Sequence, residues 1–266
     1  MHFHIPKKRF GQNFLIDKNV VSRTLQESDI SHADNVLEIG PGKGFLTDDL
    51  LQNAGKVVAI ELDKDLYDNL KLKYKENENL FLIQGDCLKI DWDAFPVKVN
   101  KLVANIPYNI SSQIIFRALD YYSLFDTVVF MIQKEVADRI VSSCNSKEYG
   151  VLSVICQKFW EIKICMRVSR KVFRPAPKVD SALIKFIPKY NSIDFSDVKR
   201  FVEFVKFCFN QRRKILFKRL VRDYGLRHSV LLDFYKINDL DLNCRAENID
   251  VDLFWELLKD KDRDKE

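Results

Sequence analysis

Short apolar runs recur along most of the chain, each followed by a stretch with helical spacing. Residues 36–39, 56–60, 80–83, 101–104, 127–132 and 182–187 are predominantly apolar rather than alternating. They read as strands buried on both faces. Asp17 has the chemistry of a helix cap, with Val20, Val21, Thr24 and Leu25 falling on one face after it. Further helices are expected at 45–52, at 134–142, and from a Ser111 or Ser112 cap to about residue 119. Segments 152–160 and 161–168 continue the alternation. Strand and helix alternating in this way predict an α/β domain on a parallel sheet over residues 1–189. Residues 188–192 read as a linker. The pattern then turns helical, at 198–209, through 212–222, and near 251–258, which predicts a small helical domain over 190–266. The tail, 259–266, alternates charges and is expected to fray.

Composition narrows the class. The 266 residues are 47% hydrophobic and 30% charged, with seven prolines and eight glycines, so a real core is available and disorder belongs at the ends. No apolar run approaches membrane-spanning length, and residues 1–9 lack a signal-peptide core, so a cytoplasmic protein is expected. None of the six cysteines forms a C-x-x-C pair, which suits reduced, buried thiols. His2 and His4 could share a metal, but a terminal tail is a poor site; no metal-ligand spacing is present, and no metal is expected. The net charge of +5 is modest, so charge distribution carries more meaning than the sum.

The candidate chemistry gathers at strand ends, where open α/β sheets hold ligands. Asn105-Ile106-Pro107-Tyr108 places an amide, a rigid proline and an aromatic ring after the 101–104 strand. Asn can accept hydrogen bonds from an amine and Tyr offers a flat face to a base, although Asn and Pro also suit an ordinary turn. Gly40-Pro41-Gly42-Lys43-Gly44 follows the 36–39 strand, and Glu61 lies 21 residues after Gly40, the spacing at which a carboxylate meets ribose hydroxyls. A dinucleotide fingerprint G-x-G-x-x-G would need its third glycine where Phe45 stands. S-adenosylmethionine has no pyrophosphate and is the favoured cofactor. Asp86, after the third strand, could accept from an adenine amine or merely make a Gly-Asp turn.

Three stretches suit a polyanion. Lys7, Lys8 and Arg9 precede Phe-Gly-Gln-Asn-Phe. Arg174 and Lys178 flank Phe173 on a stiff two-proline loop that suits an unstacked base and its phosphates. Eight cations lie between Lys206 and Arg227 against the single Asp223, among them Arg212, Arg213, Lys214, Lys218, Arg219 and Arg222. Each stretch could also be a solvated surface.

Taken together, these motifs resemble the KsgA/Dim family of ribosomal RNA adenine N6,N6-dimethyltransferases. The resemblance runs from Arg9-Phe-Gly-Gln-Asn-Phe-Leu15 through Glu38-Ile-Gly-Pro-Gly-Lys-Gly44, Glu61-Leu-Asp63, Gly85-Asp86 and Asn105-Ile-Pro-Tyr108. It continues through Phe173-Arg-Pro-Ala-Pro-Lys-Val-Asp-Ser181, Gln211-Arg-Arg-Lys214 and Arg245-Ala-Glu247. One departure is Ile106, where bacterial members usually carry Leu; the position contributes mainly its carbonyl. The resemblance implies a Rossmann-like, seven-stranded methyltransferase sheet with a small helical C-terminal domain. It implies S-adenosylmethionine held by Asn13, Leu15, Gly40, Glu61, Asp86 and Asn105, with S-adenosylhomocysteine released and no metal. The implied substrate is a pair of adjacent adenosines in the 3′-terminal hairpin of small-subunit rRNA, met within a pre-30S particle by a monomeric enzyme.

The expected mechanism is direct displacement at the sulfonium methyl. The Asn105 side-chain oxygen and the Ile106 carbonyl would draw the target amine toward tetrahedral geometry, while Tyr108 and Phe173 would stack on the two faces of the base. Tyr108→Phe would then stay largely active. The Erm enzymes, which act on large-subunit rRNA, share part of this pattern, and a non-catalytic RNA-binding assembly factor could share the fold. The intact site residues weigh against the latter; Gln211-Arg-Arg-Lys214 and Arg245-Ala-Glu247 weigh against the former.

Overall fold

The computed structural model describes residues 6–7, 11–189 and 194–263, so Lys8 and Arg9, His2 and His4, and most of the expected linker lie outside the described residues. The chain forms two compact units. The first comprises 1–137 and 161–191; the second comprises 138–160 and 192–266. The chain thus enters the helical unit twice, where the sequence led us to expect a single crossing at 189/190.

The first unit is built on β1 (Phe14–Leu15), α1 (Lys18–Ser28), β2 (Asn35–Ile39), α2 (Thr47–Asn53), β3 (Lys56–Glu61), α3 (Lys64–Lys73), β4 (Leu80–Gln84), β5 (Lys101–Asn105), α4 (Ser111–Asp120) and β6 (Thr127–Gln133). α5 (Lys134–Ile140) and α6 (Val151–Phe159) come next, then β7 (Trp160–Val168), β8 (Phe173–Arg174) and β9 (Ser181–Pro188). Seven strands form one sheet in the order β4-β3-β2-β5-β6-β9-β7, and β1 pairs with β8 in a separate two-stranded ribbon. β2 through β6 pair in parallel, and β9 is antiparallel to β6. Parallel strands covered on both faces need continuous apolar runs. Val36, Leu37, Val57, Val58, Leu102 and Val103 are accordingly all buried.

Strand order reverses between β2 and β5, and a crevice at such a reversal is where doubly wound sheets bind ligands. Register lines up its contents. Ile39 lies opposite both Ile60 and Ala104, so Gly40, Glu61 and Asn105 come next along three neighbouring strands.

Side-chain capping explains some helix starts. The Asp17 carboxylate accepts from the amides of Asn19 and Val20, capping α1 as its sequence suggests. α4 has no Ser cap. Tyr108–Ile110 forms a 3-10 turn first, and the Ser111 hydroxyl donates back to the Tyr108 carbonyl at 3.3 Å. The β1–β8 ribbon was invisible in the pattern because strands of two residues have no period.

In the second unit, α6 is joined by α7 (Phe195–Phe209), α8 (Leu216–Arg222), α9 (His228–Ile237) and α10 (Val251–Arg263). Its core is aromatic: Phe159, Phe201 and Trp255 meet edge to face at 5.1–6.0 Å. α6 reads as part of the α/β alternation because its apolar residues surround it; seven of its nine residues are buried, so spacing does not reveal its partner. Residues 211–214 are a turn rather than helix. α10 runs on to Arg263 instead of fraying at 259, consistent with the small helical cost of lysines.

Candidate functional site

The carboxyl ends of β2, β3, β4 and β5 enclose a cavity of about 370 Å³. Every residue expected to hold the cofactor lines it: Asn13, Leu15, Gly40, Glu61, Asp86 and Asn105. Ile106 and Tyr108 line it too. Gly40 adopts φ +70°, and a Cβ there would meet no protein atom within 4 Å, so the backbone is bare toward open space. Gly44, at φ +79°, serves packing instead: its Cβ would land on the Tyr74 hydroxyl.

Glu61 is 6% exposed. Its two oxygens accept from the amides of Gly42 (3.0 Å) and Asp63 (2.8 Å), which fixes the carboxylate at the cavity wall. Burial raises its pKa above the ordinary carboxylate range, partly offset by these amides. The Asp86 carboxylate accepts from the Leu88 amide at 3.0 Å. The Asn105 amide nitrogen donates to the Asn13 carbonyl at 3.3 Å, so its oxygen is the end left to accept from a ligand. The Tyr108 hydroxyl is hydrogen-bonded to Ser181 Oγ at 2.5 Å. These features fit a nucleoside-bearing, cationic cofactor: a bare glycine turn, a pinned carboxylate where ribose hydroxyls are met, and a volume in the small-molecule range. Among the described residues, no group of three or more His, Cys, Asp or Glu could hold a metal ion.

Several site residues were not foreseen. Glu38 sits in mid-strand at 2% exposure and accepts from Thr47 Oγ1 at 2.7 Å. Burial pushes its pKa up to about 8; Glu61 and Asp48 push the same way, while Thr47 and Lys73 oppose. A charged residue inside the run Val36-Leu-Glu-Ile39 was the available signal. Asp63 caps α3 and also accepts from Lys7 Nζ (2.6 Å) and Gln12 Nε2 (2.8 Å), tying the segment before β1 to the site.

Two expectations need correction. Phe173 is wholly buried in the core with Leu15 and Leu183 and does not line the cavity, because β8 pairing with β1 turns it inward. It offers no face to a base. Arg219 is 3% exposed. Its guanidinium donates to the carbonyls of Phe207 and Cys208 and to Asn210 Oδ1, ending α7, and is not a surface cation. Lys7, also expected to meet RNA, is ion-paired with Asp63 and Asp65.

The other expected RNA contacts divide by exposure and pairing. Arg212 is ion-paired with Glu247 and donates to the Lys147 carbonyl, and Arg222 pairs with Asp223. Arg174 is exposed and donates to the carbonyls of Lys171 and Phe173. Lys178, Arg213, Lys214 and Lys218 are exposed.

The sequence matches the family model described as ribosomal RNA adenine dimethylase over residues 4–261. It is 41% identical over 252 residues to a ribosomal RNA small subunit methyltransferase A from Mycoplasmopsis pulmonis, covering 95% of this chain and 97% of that one. A protein of the same name from Syntrophotalea carbinolica is 42% identical over 258 residues, covering 96% and 97%. Among solved structures, a dimethyladenosine transferase from Plasmodium falciparum superposes with TM-score 0.81 at 29% identity, over 95% of this chain and 98% of that one. The 23S rRNA methyltransferase ErmE shares the fold at TM-score 0.72 and 24% identity, over 94% and 100%. With a family model spanning nearly its whole length and the cofactor crevice formed as such an enzyme requires, the chain belongs to the ribosomal RNA adenine dimethylase family, S-adenosylmethionine-dependent methyltransferases.

Proposed function

We propose that this enzyme dimethylates the N6 amines of two adjacent adenosines in the 3′-terminal hairpin of 16S (small-subunit) rRNA. It acts as a cytoplasmic monomer on a pre-30S particle and releases S-adenosylhomocysteine at each transfer. No metal takes part. The names of the relatives support the small subunit as target, and no helix among the described residues is long and apolar enough to cross a membrane.

The observation that carries the chemistry is the orientation of Asn105. Its amide nitrogen is committed to the Asn13 carbonyl, which leaves Oδ1 as the acceptor for the target amine. The cofactor supplies a methyl group already activated by the cationic sulfur. The remaining difficulty is the amine, whose lone pair is delocalised into the adenine ring. Asn105 Oδ1 and the Ile106 carbonyl accept its two hydrogens and favour the tetrahedral nitrogen that attacks. Acceptors fixed in advance stabilise the charge that develops on that nitrogen. Tyr108 stacks on the base and holds amine and methyl in line. The N6 proton turns acidic only after attack and leaves to water or a backbone acceptor. On the RNA side, Lys178 and Arg174 in the first unit and Arg213, Lys214 and Lys218 in the second contact phosphates.

Primer extension on small- and large-subunit rRNA after methylation in vitro tests the target, since dimethyladenosine stops reverse transcriptase. Stops confined to large-subunit rRNA refute it. Single-turnover transfer at saturating cofactor and RNA tests the chemistry: Asn105→Ala should be about 10²–10³ slower, the effect of losing one aimed hydrogen-bonding group.

A further inference from the structure

Tyr108 begins a single 3-10 turn that has no side-chain cap, and among the described residues its ring has no aromatic partner. Phe173, the other ring expected to stack on the base, is withdrawn into the core. The far end of the Tyr108 ring is nevertheless held. Its hydroxyl meets Ser181 Oγ at 2.5 Å across a sequence separation of 73 residues. Ser181 is the first residue of β9 and is wholly buried. Three contacts pin its neighbourhood: Ser181 lies opposite Gln133 of β6 in the sheet register, the Asp180 carbonyl accepts from the Lys134 amide at 3.0 Å, and the Asp180 carboxylate accepts from the Arg170 amide at 3.0 Å. In the sheet, β6 lies between β5 and β9, so this bond reaches across a strand to tie the turn after β5 to a rigid anchor.

We propose that Ser181 is a positioning residue for methyl transfer, holding the Tyr108 ring at the angle on which the target adenine stacks. The inference rests on Tyr108 serving as the stacking face. A tyrosine ring fixed only at Cα can swing about χ1; a second fixed point at its hydroxyl removes that swing before the base arrives. Ordering supplied by the protein in advance is not required of the substrate complex. The hydroxyl therefore matters beyond the ring face, and Tyr108→Phe is no longer expected to be neutral.

The test is single-turnover methyl transfer at saturating cofactor and rRNA substrate for Ser181→Ala, Tyr108→Phe and the double variant. Cofactor affinity is measured alongside by calorimetry. Each single variant should be about three- to tenfold slower, the effect of one neutral hydrogen bond. The double variant should be no slower than the slower single, because both remove the same bond. Cofactor affinity should hold. A wild-type rate for Ser181→Ala, or losses that add in the double variant, overturns the inference. Ser181→Cys fills the site with a slightly larger side chain and a weaker bond, and so guards against the cavity that Ala leaves; a wild-type rate there counts equally against it. Tyr108→Ala separates the two levels. If it transfers methyl normally, the stacking role itself fails; if it is impaired while Ser181→Ala is not, only the anchoring role fails.

Discussion

Glu38→Gln isolates the consequence of burying a carboxyl group in the middle of β2. Glu38 is 2% exposed with one side-chain hydrogen bond, from Thr47, and burial raises its pKa from the ordinary 4.5 to about 8. The sign comes from linkage. Below the unfolded value both states carry the proton and the group contributes no pH dependence. As pH rises toward about 8, the unfolded chain loses its proton while the folded protein keeps it, so stability falls. The slope is about 1.4 kcal/mol per pH unit, several kcal/mol across the window. Glutamine has nearly the same shape, accepts the same Thr47 bond and cannot ionise. Its amide hydrogens add an offset that does not vary with pH. The stability difference between variant and wild type should therefore drift in the variant's favour between about pH 5 and 8, by roughly 1 kcal/mol or more per unit. Chemical denaturation of both proteins without cofactor, at several pH values in that window, measures the drift. Parallel stability curves would mean that Glu38 is ionised in the folded protein and would refute the reasoning.

Glu61→Ala removes the carboxylate that the Gly42 and Asp63 amides hold at the cavity wall. Calorimetry should record a loss of about ten- to a hundredfold in S-adenosylmethionine affinity, the equivalent of a charged hydrogen bond; an unchanged affinity removes Glu61 from the site. Neutralising Arg213, Lys214 and Lys218 together should lower RNA affinity and flatten its log–log salt dependence by roughly one unit for each phosphate no longer neutralised. Normal binding at every salt concentration would make them a solvated surface. Arg219→Met should act through stability instead: three acceptors at the end of α7 lose their donor, at a cost of about 3 kcal/mol or more in denaturation. An undiminished stability would show that those acceptors rehydrate freely.

Strand-end chemistry was legible in the sequence because parallel β-strands buried on both faces are continuous apolar runs. The residues just after each run must lie at one edge of the sheet. Gly40, Glu61, Asp86 and Asn105 could be picked out on that ground and are brought to one cavity. The Asp17 cap was legible for a similar reason, since its bonds reach only two and three residues along the chain. Side-chain direction was not legible where it depends on a distant partner. Phe173 looked like an exposed ring on a proline loop until β8 met β1, more than 150 residues earlier in the chain. Arg219 looked like one cation among eight until α7 ended beside it. Likewise α6 carried too little periodicity to say which unit it would join. Composition and local spacing determine which segments become strands and helices. Whether a ring or a charge faces water or the interior is decided by the acceptors and apolar surfaces that tertiary packing brings to it, because a buried polar group persists only where its hydrogen bonds are met.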